Sequence, residues 1–265
     1  MSDTSINLNE RAGILTLRGR LTDDTALEFR EKLDLLVRYY QHQRVTLQIH
    51  SEGGQALGLH HMLEDIESHR ARAVSIVTEA PLMAGSAAAV LLTLGELGSR
   101  RVSRQTSLLF HHSRQQLEAN RVITADTALQ LARMLCRFDT KLAQTIVAHL
   151  TSSCGDVAGL VAEGLARCKL VQAQTTLLRD QLGIAEGYRF DAGIETVHDM
   201  WRTCGNRHSS EPYLDYLHVH FGRDDWMELI DAYALVLIDT IDRVPALLPL
   251  AAQKVRTSQK SKLAA

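Results

Sequence analysis

The chain has 265 residues, 45% of them hydrophobic and 23% charged, a composition that can bury a substantial core and is unlike that of a disordered chain. Its formal net charge of −2 lacks the basic footprint of a protein that grips phosphate backbones, so no nucleic-acid partner is expected. The amino-terminal residues MSDTSINLNERAG show no basic n-region or apolar h-region. No apolar run reaches the roughly 18 residues of a membrane span. A cytoplasmic protein without membrane contact is the expectation.

In chain order, residues 13–19, GILTLRG, alternate as a strand does, and Thr22, Asp23 and Asp24 offer capping groups for a helix reaching Tyr40. Residues 44–50, RVTLQIH, form a second strand that ends in the turn Ser51-Glu52-Gly53-Gly54. Helical apolar spacing follows at Leu57, Leu59, Met62 and Ile66. The apolar run AVSIVT over residues 73–78 suits a buried parallel strand, and a helix of small residues starts near Gly85. Residues 106–110, TSLLF, are another strand. Strands and helices that alternate at short connections argue for a right-handed parallel α/β core.

Beyond His111 the character changes. Leu129, Ala132, Leu135, Phe138, Leu142 and Ile146 recur every three or four residues, which predicts one long amphipathic helix over 122–150 that reaches past the core. Shorter helices are expected over 156–167 and 172–182. Residues 187–265 read as a separate helical extension that holds Trp201 and Trp226, includes an apolar helix over 226–241 and ends in a basic, disordered tail.

Three features suit acyl transfer. The Ser51–Gly54 turn at a strand's carboxyl end frees N–H groups for an oxyanion. Ser86 stands at a strand-to-helix junction among small residues, and His111 leaves the sheet just after a neighbouring strand, with His112 as the alternative imidazole. Histidine can take a serine proton near neutral pH. Cys136, Cys154, Cys168 and Cys204 contain no CxxC pair, and His60-His61 and His218-x-His220 lack companions at ligand spacing, so neither metal nor other cofactor is expected.

Four stretches, LQIHSEGGQALGLHHML, AGSAAAVLLTLGELGSRRV, TSLLFHHS and QLGIAE, taken in this order and spacing, resemble the proteolytic subunit of the ATP-dependent Clp protease. The resemblance covers roughly residues 12–186. It implies a Clp-protease and crotonase-like spiral of βαβ units, with 1–186 as the α/β domain and the long helix protruding. It further implies a serine endopeptidase with Ser86 as nucleophile, His111 as base and the N–H groups of Gly53 and Ala87 as oxyanion donors. The partners it implies are unfolded polypeptide, homo-oligomeric rings and an AAA+ unfoldase. Matching Val157 and Leu160 to the family's apolar positions places Glu163 where the family has its aspartate, with Asp156 as the other candidate. Glu52 replaces the family's usual proline.

Two other functions stay open at the level of sequence. One is an inactive structural or adaptor subunit; the other is a crotonase-type acyl-CoA enzyme. A serine and lysine dyad is disfavoured, because Lys141 and Lys169 are the only lysines between residues 33 and 253.

Overall fold

The computed structural model describes residues 4–114, 123–183, 190–223 and 225–244. Strands β1 (Ser5–Asn9) and β2 (Ile14–Leu21) form an antiparallel hairpin. Alternation along β2 sends Leu15, Leu17 and Leu21 into the core. Helix α1 (Asp23–Asp34) begins at a reciprocal capping box between Thr22 and Thr25, with Asp23 and Asp24 against the positive end of the helix dipole. It buries Ala26, Phe29 and Leu33 and runs into a π-helical turn over Leu35–Tyr39.

β3 (Arg44–Gly54) lies parallel to β2, and α2 (Ala56–Arg70) returns the chain with Leu59, Met62 and Ile66 inward. β4 (Ser75–Gly85) is parallel to β3 and longer than its apolar run predicts. It carries two successive parallel partners: β5 (Arg100–Val102) faces Thr78–Ala80, and β6 (Ser107–Leu109) faces Met83–Gly85. Between them α3 (Ala87–Thr93) buries all of its residues. The carboxyl ends of β3, β4 and β6 therefore share one edge.

The long helix is α4 (Ala125–Ser153), which spans about 43 Å at 1.5 Å per residue. Its buried side chains, Ala143, Ile146, Val147 and Leu150, all fall in the second half. The first half projects from the core with Leu129 and Met134 exposed. α5 (Val157–Ala173) and α6 (Thr175–Leu182) follow, and α6 is closed by Gly183 in the left-handed conformation.

The expected boundary near residue 187 and the last residues of QLGIAE lie outside the described residues, as does the tail. Beyond it come α7 (Phe190–Arg207), α8 (Glu211–Phe221), β7 (Trp226–Met227), α9 (Leu229–Ala234) and β8 (Thr240–Ile241). This part shares the sheet and core of the earlier residues. β7 pairs antiparallel with β6, and β8 extends β5 in parallel. Trp201 of α7 lies flat on α5, where a Cβ on Gly164 would come within 2.3 Å of the indole, and its Nε1–H donates to Ala234 O at 3.0 Å. The apolar run over 226–241 is not one helix. Val236 has a φ of 63°, which ends helical winding, and the Asp239 carboxylate is drawn to Arg100. Among the described residues no single helix is long and apolar enough to cross a membrane.

Candidate active site

Glycines bring the ends of β3 and β4 into contact. A Cβ on Gly53 would sit 2.5 Å from Gly85 O and 2.6 Å from Ser86 Cβ, and one on Gly85 would sit 2.9 Å from Glu52 O. Gly53 also has a φ of +98°, which L side chains rarely adopt. The glycine turn thus lays its main chain directly on Ser86.

Ser86 joins β4 to α3 with φ 52° and ψ −124°, outside the regions ordinarily open to a residue with a Cβ. Holding serine there costs about 1–3 kcal/mol, a cost that folds retain mainly at functional sites. A sharp strand-to-helix turn of this kind exposes a nucleophilic serine hydroxyl at the sheet edge of α/β-hydrolase folds. The Ser86 N–H donates to Leu109 O at 2.6 Å, tying the junction to β6. The next residue, Ala87, opens α3, and its N–H is among the first of the helix, which have no intrahelical acceptor. A Cβ on Gly53 would lie 3.0 Å from that nitrogen.

His111 follows Leu109 by two residues, so it leaves the same edge from a strand about 4.8 Å away. Its Nδ1 lies 2.6 Å from His112 O. A carbonyl only accepts, so Nδ1 carries the hydrogen; in the neutral ring the lone pair then sits on Nε2, the tautomer a general base needs. His112 is committed to α8: its N–H donates to Phe221 O at 3.1 Å and its Nε2–H to His218 O at 3.0 Å. Phe110 stacks on Phe221 with ring centroids 4.9 Å apart.

The structure brings together Gly53, Ser86 and Ala87, with His111 on the adjoining strand end, but not the expected acids. Glu163 Oε1 accepts from Arg167 Nε at 2.7 Å, its i,i+4 neighbour on α5. Arg167 bonds Asp239, which also accepts from Arg100, a residue of β5 that pairs with Thr78 in the first half of β4. Glu163 is therefore held in the Arg167–Asp239–Arg100 network, and among the described residues its hydrogen bond is to Arg167. Asp156 caps α5 by accepting from the Gly159 N–H at 2.7 Å.

A second departure concerns Gly53. Its N–H donates to the buried Ser51 Oγ at 3.0 Å, so it is already engaged. A carboxylate that the sequence did not single out, Asp139 of α4, accepts from the Ser113 N–H at 2.7 Å. Among the described residues no group of three or more histidine, cysteine, aspartate or glutamate side chains could hold a metal ion.

Residues 2–176 match the Clp protease family. The chain belongs to that family. As a Clp protease family member it is a Clp-type peptidase in general terms, and its mixed α/β sheet accords with the Clp-protease and crotonase-like fold. The match includes Gly53, Ser86, Ala87, His111 and Asp139 and ends within α6. The helices and strands beyond it, α7 to β8, are additions to what the Clp protease match covers. No curated protein matches the chain.

Proposed function

We propose that the protein is a serine endopeptidase that hydrolyses peptide bonds of unfolded polypeptides, with Ser86 as nucleophile and His111 as general base. The observation that carries this reading is the strained junction at Ser86, pressed against Gly53 and bonded to the last residue of the strand that precedes His111. Ser86 Oγ attacks the carbonyl carbon as its proton passes to His111 Nε2. The Ala87 N–H holds the oxyanion, joined by the Gly53 N–H once the substrate oxygen displaces Ser51 Oγ. His111 then protonates the departing amine. Water, deprotonated by the same nitrogen, releases the acyl group and restores Ser86.

The test is covalent labelling by a fluorophosphonate together with cleavage of a fluorogenic peptide. A folded wild-type protein that never reacts with the probe would instead be a structural or adaptor subunit. Gly53→Ala adds a methyl group where Gly85 O and Ser86 Cβ already stand. It is expected to slow labelling by about 10²-fold, the effect of a displacement near 1 Å at a reacting centre. Labelling at the wild-type rate in Gly53→Ala would show that this contact does not shape the site.

The same reading places the active sites in a chamber of stacked rings in the cytosol, supplied by an ATP-driven unfoldase. The exposed first half of α4 supports ring-to-ring contact, since Leu129 and Met134 are about half exposed there with no core to cover them. All four cysteines are free, which fits a reducing compartment. Met134→Glu is expected to halve the particle mass in sedimentation while each ring stays intact. An unchanged mass would assign α4 another role.

A further inference from the structure

We infer that Asp139 is the positioning acid of this site and acts on His111 through the peptide unit between His112 and Ser113. The inference rests on the serine-peptidase reading and supplies the member that reading lacks. Two hydrogen bonds converge on one planar group. On one side His111 Nδ1–H donates to His112 O at 2.6 Å; on the other the Ser113 N–H donates to Asp139 Oδ1 at 2.7 Å. His112 C=O and Ser113 N–H belong to the same peptide bond, which is trans, so donor and acceptor point in opposite directions along one resonant unit.

The chemistry follows from that alignment. A carboxylate that accepts from an amide N–H polarises the amide and strengthens its oxygen as an acceptor, as hydrogen bonds in a chain do. The His112 carbonyl thereby becomes a better partner for Nδ1–H and for the imidazolium formed when Nε2 takes the serine proton. No proton crosses the peptide, and the N–H stays on nitrogen. The effect is orientation, tautomer selection and part of the charge stabilisation that a directly bonded carboxylate gives.

The peptide unit is also fenced against rotation. His112 is pinned from the far side by Phe221 O and His218 O, and a Cβ on Gly222 would lie only 3.1 Å from its ring. Since α8 lies beyond the family match, the carboxyl-terminal part acquires a role in holding the relay. Asp139 is the middle residue of α4, one turn ahead of the buried Ala143. The helix that leaves the core therefore also orients the base.

The full-length protein is compared with Asp139→Asn, Asp139→Glu and Glu163→Gln, using peptide cleavage and 15N spectra of labelled histidine. Asp139→Asn is expected to lower kcat by about 10- to 100-fold, the range typical of a carboxylate that orients a histidine at one remove. KM should stay within about twofold, and Asp139→Glu should recover most of the loss. Glu163→Gln should keep wild-type kcat. In the spectra His111 should be protonated at Nδ1 in the wild type and a tautomer mixture in Asp139→Asn. An Asp139→Asn variant with wild-type kcat overturns the inference, as does a Glu163→Gln variant that loses as much. If the wild type neither labels nor cleaves, the peptidase reading fails, and the spectra alone decide the relay. A His111 that is protonated at Nε2, or indifferent to Asp139→Asn, overturns it.

Discussion

Ser86→Ala is expected to abolish both fluorophosphonate labelling and peptide cleavage, with kcat falling by about 10⁶-fold, as when the nucleophile is removed from comparable serine hydrolases. The size reflects how the site is built. Ser86 is the one side chain at the β4–α3 junction that can form the acyl intermediate. Its strained φ and ψ, its N–H bond to Leu109 O and the approach of Gly53 all serve to place its Oγ. Alanine is accommodated there as well as serine, because the backbone strain and the Cβ are the same. The variant should therefore fold, assemble and still bind peptide. Labelling that persists in Ser86→Ala would place the reactive hydroxyl elsewhere and remove the peptidase reading. Cleavage that persists without labelling would point to a contaminating protease.

The parts of this arrangement that sequence discloses are those written in side-chain period and small residues. Leu15 and Leu17 alternate, Leu59, Met62 and Ile66 recur on one helical face, and the glycines beside Ser86 announce a close approach of main chains. Strands of two or three residues, such as β5, β7 and β8, are too short for any period to register. The run from Leu229 to Ile238 is buried at every position but Asp231, and without a continuous polar face helix and extended chain look alike. Glu163 has the family's spacing from Val157 and Leu160, but spacing does not reveal that Arg167 one turn later bonds it. The Asp139 relay was out of reach for a different reason. Its middle member is a main-chain peptide, which every residue possesses, and only the fold decides which carbonyl meets which imidazole.

Asp239→Asn is expected to destabilise the fold by about 3–5 kcal/mol, the usual consequence of leaving buried charges without their partner. Arg100 and Arg167 are 0% and 4% exposed, and both converge on this carboxylate. Asp239 Oδ2 accepts from the Gly98 N–H at 2.8 Å, the Arg100 N–H at 3.0 Å and Arg100 Nε at 2.8 Å; Oδ1 accepts from Arg100 Nη2 at 2.6 Å and Arg167 Nη2 at 2.8 Å. One side chain thus links β5, α5 and the approach to β8, which joins the carboxyl-terminal part to the core. In a chain of this size the loss lowers Tm by on the order of 10 °C. The pH dependence has a definite sign. Burial alone would raise the Asp239 pKa, but the charges and hydrogen bonds of Arg100 and then Arg167 outweigh it and hold the carboxyl well below the usual carboxylate range. Its contribution is therefore complete above the unfolded value of about 3.9 and is lost as pH falls below it. Between about pH 4 and 6 two other groups oppose each other. Burial, aided by Arg70, lowers His149 to about 4, which favours the fold as pH rises. Burial, aided by Glu228, raises Asp231 to about 6, which favours the fold as pH falls. His69 and His220, lowered chiefly by burial, add to the His149 side. Urea midpoints measured against pH should accordingly fall gently from about 6.5 to 4 and steeply below, where Asp239 of the unfolded chain takes up a proton that the folded carboxylate refuses. Asp239→Asn should lower the whole curve and remove most of the steep part. A variant as stable as the wild type at neutral pH, or a wild type that keeps its midpoint at pH 3, would mean that the two arginines are satisfied without Asp239.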